Sequence, residues 1–135
     1  MSLLDSVERL RVGLDYHLQR HNVLVSNLAQ AETPGYKPVD LERSSFDGAM
    51  SVALTATDPS HVGTPATPGV DPGAPPATFR VVEDTTAKAS GDGNAVDIDR
   101  EAVKISTNQM RYDMLAQLAS SELSGLEWAA NDGKG

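Results

Sequence analysis

Apolar residues recur at alternating steps of four and three along two long stretches of the chain, one at each end. This heptad spacing is typical of helices that pack side by side, whereas a strand alternates with a period of two. It predicts helices over residues 3–32 and 97–130. The N-terminal seam consists of Leu3, Val7, Leu10, Leu14, His17, His21, Leu24, Leu28 and Ala31. The C-terminal seam consists of Ile98, Ala102, Ile105, Gln109, Tyr112, Ala116, Ala119, Leu123, Leu126 and Ala130.

The end of the first helix is strongly specified. Thr33 precedes Pro34, so the α conformation of Thr33 is sterically disfavoured. Gly35 can adopt a positive φ without a Cβ clash, and Pro-Gly at the two central positions is the signature of a type II turn. Tyr36 and Lys37 follow the turn, and we expect this amphipathic pair to fold back on the last turn of the helix.

The start of the second helix is also marked. Asp97 is the predicted N-cap, because its side chain can accept a hydrogen bond from a free N–H of the first turn. Asp99 and Glu101 place negative charge in that turn, where the helix dipole favours it. Beyond residue 130 we expect the helix to fray.

The centre of the chain is rich in Pro, Gly and Ala. Six of the eight prolines fall between Pro59 and Pro76. Such a segment has too few apolar residues to offset its ordering entropy, so we predict a flexible loop over residues 55–78. Residues 79–83 are predicted as a short strand that becomes ordered only against a neighbouring molecule. For residues 36–50 the pattern does not decide between an extended segment and a helical turn.

These elements divide the chain into three parts. Residues 1–33 form the N-terminal helix, residues 34–95 the turn and flexible central region, and residues 96–135 the C-terminal helix with its frayed tail. The predicted fold is all-α, with the two long helices paired as an antiparallel coiled-coil hairpin and with a short β element as an additional feature.

Composition favours a subunit of an assembly. The chain has 135 residues, of which only six are aromatic, so a monomer can bury little large apolar surface and we expect neighbours to supply much of the core. The absence of cysteine excludes thiolate zinc sites, disulfides and thiol catalysis. The N-terminus lacks the features of a cleavable signal peptide, and no apolar run reaches the roughly 20 residues of a membrane span.

The net charge of −8 argues against a nucleic-acid partner. Binding to phosphates requires a basic face that releases counterions. The acidic excess lies in the middle and at the C-terminal end of the chain. We interpret this acidic excess as a charge that keeps the subunit soluble before it assembles.

Two patterns could indicate a metal site. His17 and His21 are four residues apart, so both lie on one helix face, as in many metal sites. They lack the intervening Glu of the zinc-protease pattern, and both fall on the heptad seam, where polar residues more often set register. The acidic run 92–99 fails the EF-hand pattern, because Val96 and Val103 stand where ligands are required. We therefore predict neither metal nor cofactor, and no nucleophile elbow indicates an enzyme.

The turn segment carries a resemblance to a known family. Residues 26–37 closely resemble the N-terminal signature of the bacterial flagellar axial proteins, which comprise the rod, hook and hook-associated subunits. The residues that carry the match are Ser26, Asn27, Leu28, Ala29, Ala31, Thr33, Pro34, Gly35, Tyr36 and Lys37.

Two further segments resemble the small proximal-rod members of that family. Residues 91–101 are similar to the segment that opens the C-terminal helix of these proteins, with its Gly-Asn-x-Val-Asp pattern. Residues 54–62 resemble a segment with a Thr-x-Pro-x-His element that follows the first helix in such a rod protein. The chain length also fits, since hook and distal-rod subunits carry an added β-rich domain. Residues 63–78 depart from the family pattern.

The resemblance implies a structural subunit of the proximal rod that assembles helically, transmits torque and lines the export channel. It implies export through the flagellar type III apparatus without a cleavable signal peptide, a periplasmic location in the basal body, and other rod subunits and the export-gate adaptor as partners. No small-molecule substrate is implied. The rival interpretations are a metal-binding helical hairpin that uses His17 and His21, and a small secreted helical adaptor.

Overall fold

A computed structural model of the protein describes residues 3–55, 79–89, 91 and 93–131. In chain order the elements are α1 (Leu3–Ala29), β1 (Val39–Leu41), α2 (Arg43–Thr55), β2 (Val81–Glu83) and α3 (Ile98–Ala130). A long helix near each end is therefore confirmed, together with a small sheet. Among the described helices, none contains a stretch both long enough and apolar enough to span a membrane.

The helices α1 and α3 lie side by side and run antiparallel. Contacts between them occur in opposite order along the two helices, joining Ser6 with Glu122, Gly13 with Leu115, His17 with Asn108, and Asn27 with Glu101. A Cβ atom placed on Gly13 would lie only 3.0 Å from Leu115 Cδ1. The absence of a side chain at Gly13 therefore permits close approach of the two helices at this level.

The face that α3 turns toward α1 only partly follows the predicted apolar seam. Glu101 and Asn108 are buried on that face, whereas Ile98 and Leu123 of the seam are 56% and 54% exposed. On α1, Leu24 and Asn27 are fully buried, and His17 is 8% exposed. The face of α3 that packs against α1 is therefore rotated about the helix axis relative to the predicted apolar seam. Hydrogen-bonded polar side chains, and not the seam, lie at the centre of the interface.

The strands β1 and β2 pair antiparallel within the chain, with Val39 opposite Glu83 and Leu41 opposite Val81. The prediction that residues 79–83 become ordered only against a neighbouring molecule is therefore wrong, because β1 supplies the partner. The undecided segment 36–50 contains both an extended piece, β1, and the start of α2. Residues 56–78, which hold most of the predicted flexible loop, lie outside the described residues.

A small apolar core lies where α1, α2 and the sheet meet. Its buried members are Val12, Tyr16, Leu41 and Phe79, against which Val23, Phe46 and Met50 pack. The Tyr16 ring meets the Phe79 ring edge-on at 5.2 Å and the Phe46 ring at 4.6 Å. Three of the six aromatic residues thus form a core within one chain, which is more than the composition led us to expect.

Candidate functional site

The last turn of α1 tightens before the chain reverses. Gln30 N donates to both Ser26 O (3.2 Å) and Asn27 O (3.0 Å), and Ala31 N donates to Leu28 O at 3.1 Å. Bonds to the third preceding residue characterise a 3₁₀ turn, which satisfies carbonyl groups that an ending α-helix leaves free. For this reason α1 ends at Ala29 and not at residue 32 as predicted.

The predicted Pro-Gly turn is present. Tyr36 N donates to Thr33 O at 3.2 Å, and Gly35 has a φ of +75°. No atom lies within 4 Å of the position that a Cβ on Gly35 would occupy. Glycine is therefore favoured at this position by the backbone conformation and not by lack of space.

Asn27 is the centre of the site. Its side chain is fully buried, and its amide nitrogen donates to Val39 O (2.7 Å) and to Glu101 Oε2 (3.0 Å). Its Oδ1 accepts from Val39 N (3.0 Å) and from the Tyr36 hydroxyl (3.1 Å). Every donor and acceptor position of the amide is thus used. Asn27 ties the end of α1 to β1, to α3 and to the residue that follows the turn.

The other residues of the turn motif, which runs from Ser26 to Lys37, are in part buried in the fold and in part exposed. Ala31 is buried, and its carbonyl accepts a hydrogen bond from the Asn94 side chain. Tyr36 folds back onto α1, as predicted, through its bond to Asn27. Lys37 pairs with Glu83 at 2.9 Å, but both side chains are largely exposed, so this pair adds little stability. The exposed motif residues are Ser26, Ala29, Thr33, Pro34, Gly35 and Lys37, and Leu28 is half-buried.

A network of charges extends from Asn27 to the end of β2. Glu101 is 2% exposed and accepts from Lys104 Nζ at 2.7 Å. The same ammonium group donates to Asp84 Oδ2 at 2.6 Å, and Arg100 donates to that oxygen at 3.0 Å. Burial raises the pKa of Asp84, but hydrogen bonds from Lys104 and Thr86 outweigh it and hold the pKa well below its usual range.

A second ion pair joins α1 to β1. Arg20 donates to both carboxylate oxygens of Asp40, each at 2.8 Å, and the two side chains are less than one-fifth exposed. Burial raises the pKa of Asp40, but the hydrogen bond and the charge of Arg20, together with the hydrogen bond from the Leu41 N–H, outweigh burial and lower the pKa. This bidentate geometry fixes both position and orientation of the strand relative to the helix.

The two histidines of the metal hypothesis have different surroundings. His17 is buried, and its Nδ1 lies 2.8 Å from Asn108 Oδ1. Because Asn108 Nδ2 donates to His17 O at 2.7 Å, its Oδ1 must be the acceptor, which places a proton on His17 Nδ1. His21 Nδ1 is buried without a hydrogen-bond partner. Among the described residues, no group of three or more metal-ligating side chains comes together.

Sequence reasoning missed most of this network. Asn27 was singled out only as part of a motif, and Glu101 only as an acidic residue in a first helical turn. One signal was available, because Glu101, Asn108, Leu115 and Glu122 recur every seven residues. A heptad repeat in which most residues are polar can mark the packed face of a helix as well as an apolar repeat does.

Large apolar side chains of the two long helices remain outside the core. On α1 and α3 they range from 43% to 67% exposed. They are Leu18, Val25, Ile98, Val103, Met110, Met114, Leu118, Leu123 and Trp128. Exposed apolar surface of this extent marks sites of contact with other molecules.

A helix pair with buried polar pairs in its interface and with large apolar side chains on its exterior is typical of a class of protein, the helical subunit that assembles with other molecules. Comparisons with known proteins give the particular family. The flagellar basal body rod protein FlgB of Escherichia coli (strain K12) is 31% identical over 123 residues, 84% of each chain. FlgB of Salmonella typhimurium is 32% identical over 125 residues, again 84% of each chain, and FlgB of Cereibacter sphaeroides is 30% identical over 113 residues, 79% of each.

The chain therefore belongs to the FlgB family of flagellar basal body rod proteins. The family resemblance that the turn motif indicated is confirmed by these relatives. No protein-family model matches the chain.

Proposed function

We propose that the protein is a structural subunit of the flagellar basal-body rod that assembles helically with other rod subunits in the proximal part of the rod. Its role is mechanical. Long helices that share many apolar contacts transmit torque along the shaft, and together they form the wall of the export channel. The names of the relatives support this proposal, since each is a basal body rod protein.

The observation that carries the proposal is the apolar exterior of α1 and α3. Leu123 and Trp128, for example, are 54% and 61% exposed, which is costly in water unless another molecule covers them. Contacts between different patches of successive subunits do not close into a ring and so generate a helical tube.

A groove between α1 and α3 suggests how the heptad seams are used. Its volume is about 760 Å³, and it is open along one side of the helix pair. The seam residues that line it are His21, Leu28, Ala102, Ile105 and Gln109. A seam helix of a neighbouring subunit fits such a groove by heptad packing. The seam residues Leu10, Leu14, Tyr112 and Leu126 are half-buried in the single chain and would be covered further.

The pairing of α1 with α3 supports a coiled-coil arrangement. Contacts join Ser6 with Glu122 and Gly13 with Leu115, so a step of seven residues along α1 matches a step of seven back along α3. This spacing is the repeat of a coiled coil. We propose an antiparallel coiled-coil hairpin of residues 1–33 and 96–135, joined by the central region 34–95.

The exposed half of the motif is proposed as an assembly contact. Ser26, Ala29, Thr33 and Pro34 are exposed at the end of α1, while the buried half of the motif holds that end in place. We further propose a location in the periplasmic rod, export without a cleavable signal peptide, and the export-gate adaptor as a partner.

The test compares two neighbouring acidic substitutions on α3. Leu123→Asp places a charge on the apolar exterior, whereas Ser124→Asp places it at an exposed polar position. Both variants should fold and be exported, because neither side chain is buried in the single chain. Basal bodies isolated from the Leu123→Asp strain should lack complete rods by electron microscopy, and those from the Ser124→Asp strain should have them. Complete rods in the Leu123→Asp strain would refute the assembly role.

A further inference from the structure

Polar and small side chains, with the exception of Leu115, recur at heptad spacing along the α1–α3 interface. On α1 they are Ser6, Gly13, Arg20 and Asn27, and on α3 the corresponding positions hold Glu101, Asn108, Leu115 and Glu122. The contacts of Ser6 with Glu122, Gly13 with Leu115 and Asn27 with Glu101 all belong to one register.

Two polar pairs in this interface are buried and specific. Asn27 and Asn108 have no exposed surface, and Glu101 is 2% exposed. His17 and Asn108 exchange two hydrogen bonds, at 2.8 Å and 2.7 Å. Asn27 donates to Glu101 at 3.0 Å. Both pairs form only when the two helices are aligned as observed.

We infer that the His17–Asn108 and Asn27–Glu101 pairs determine which helices associate and in which register, and that stability is not their main contribution. A buried hydrogen-bonded pair gives little net stability compared with a well-packed apolar pair. A buried polar group without a partner, in contrast, strongly disfavours the arrangement that contains it. Polar residues at interior heptad positions of coiled coils specify register in the same way.

A shift of one heptad would break these pairs in either direction. In one direction Asn108 would face Leu10 in place of His17, and Leu10 has no polar group to bond it. Glu101 would then face Arg20, which already binds Asp40. In the other direction Glu101 would lie level with Pro34, beyond the end of α1 at Ala29. Each shifted register therefore leaves at least one buried polar group unpaired.

Apolar seams alone would discriminate poorly between these registers. Their residues repeat every seven positions, so a shift of seven places one apolar side chain where another stood. The exposed apolar residues of both helices create the same ambiguity between helices of different molecules. The polar pairs resolve it, because the complementary partner of His17 lies at a single position of α3.

The test uses disulfide formation in the purified full-length chain, which has no cysteine of its own. Ser6→Cys with Glu122→Cys reports the observed register, since Ser6 and Glu122 face each other across the interface, with Ser6 Oγ donating to Glu122 Oε2 at 3.3 Å. Ser6→Cys with Ala129→Cys reports a shift of one heptad, and Ala129 is exposed. Each reporter is oxidised with copper phenanthroline, and intramolecular and intermolecular products are separated on non-reducing gels.

Each reporter is placed in the parent chain and in the His17→Leu, Asn108→Leu double variant. In the parent we expect the disulfide between positions 6 and 122 almost alone. In the double variant, the combined fraction of shifted and intermolecular disulfides should rise by about tenfold or more, which corresponds to about 1.4 kcal/mol of lost discrimination. The thermal midpoint of the double variant should be equal to or higher than that of the parent.

Two control variants separate register from stability. Leu24→Ala removes a fully buried apolar side chain, so it should lower the thermal midpoint and leave the disulfide ratio unchanged. His17→Gln keeps a donor for Asn108 and should retain the parent ratio. An unchanged ratio in the double-leucine variant, a ratio no different from that of Leu24→Ala, or loss of its cooperative unfolding would each overturn the inference. None of these results depends on rod assembly.

Discussion

The side-chain amide of Asn27 pairs with both backbone polar groups of Val39, accepting from its N–H at 3.0 Å and donating to its carbonyl at 2.7 Å. This is the bonding that a neighbouring strand residue would provide. Val39 is thus held on one side by β2 and on the other by a helix side chain. The end of α1 and the start of the sheet are consequently one rigid unit.

Replacing Asn27 by Asp tests that unit. The substitution keeps the shape but removes both amide donors, and it places a carboxylate beside Glu101 without a compensating partner. We expect a loss of about 3–5 kcal/mol in the free energy of unfolding, measured by urea titration with circular dichroism at pH 7. Ser26→Ala, at the exposed neighbouring position, should change it by less than about 0.5 kcal/mol. Equal losses in the two variants would contradict the central role of Asn27.

The Pro-Gly turn can be tested by a pair of glycine substitutions. Gly35→Ala forces a side chain into a left-handed conformation, which costs about 1–2 kcal/mol, although there is space for the methyl group. Gly48→Ala in α2 also has space but no positive φ, so it should stabilise the helix by about 0.5–1 kcal/mol. Thermal unfolding should therefore shift in opposite directions. A shift in the same direction would show that backbone conformation at Gly35 is not the cause.

The aromatic core predicts that the isolated chain has a folded part. Phe79 is buried against Tyr16 and Phe46, so Phe79→Ala should cost about 3–5 kcal/mol. Trp128→Ala removes an aromatic ring that is 61% exposed and should leave monomer stability nearly unchanged. Near-ultraviolet circular dichroism and thermal melts of dilute protein measure both effects. If the parent shows no cooperative transition, the core does not fold without neighbours.

Acid should weaken the α1–α3 interface through His17. Burial lowers the pKa of His17, the hydrogen bond to Asn108 opposes this effect, and Arg111 and Arg20 lower the pKa further. A group whose pKa is depressed on folding contributes stability that is present above its unfolded value of about 6.5 and is lost as the pH falls. The thermal midpoint should therefore be lower at pH 5 than at pH 7.5.

His17→Gln should reduce that difference, because Gln does not titrate. The depressed pKa values of Asp40 and Asp84 affect stability only below about pH 4, where carboxylates of the unfolded chain bind protons. A comparison of thermal midpoints between pH 5 and pH 7.5 is therefore not affected by the titration of Asp40 and Asp84. An equal pH dependence in parent and His17→Gln protein would assign the effect to another group.

Local chemistry explains what the sequence allowed us to predict. The positive φ of Gly35 and the N-cap at Asp97, whose side chain accepts from Arg100 N at 3.1 Å, depend on residues within four positions of each other. The pairing of β1 with β2 joins residues about 40 positions apart, and no short-range pattern encodes it. The sequence does not decide between a helical and an extended conformation at the start of α2 for a related reason, since Phe46 and Met50 pack against the core that contains the distant Phe79.

The apolar seams show a different limit. Heptad periodicity identifies a helix face, but it does not say whether that face meets the same chain or another one. Leu24 and Leu123 both belong to heptad seams, but Leu24 is fully buried in the folded chain and Leu123 is 54% exposed. The polar residues Asn27 and Glu101 decide which side of each helix turns inward, and their partners become evident only in the fold.

The Phe46–Phe79 ring contact, at 6.3 Å between centroids, and the β1–β2 ladder return the chain to the place from which α2 departed. Because these contacts fix where the chain re-enters the fold, residues can be inserted before Phe79 without disturbing the folded part. The entropy of closing a loop grows only with the logarithm of its length, so extra sequence there costs the folded unit little. We therefore expect the paired long helices to keep their alignment when residues are added or removed between Thr55 and Phe79.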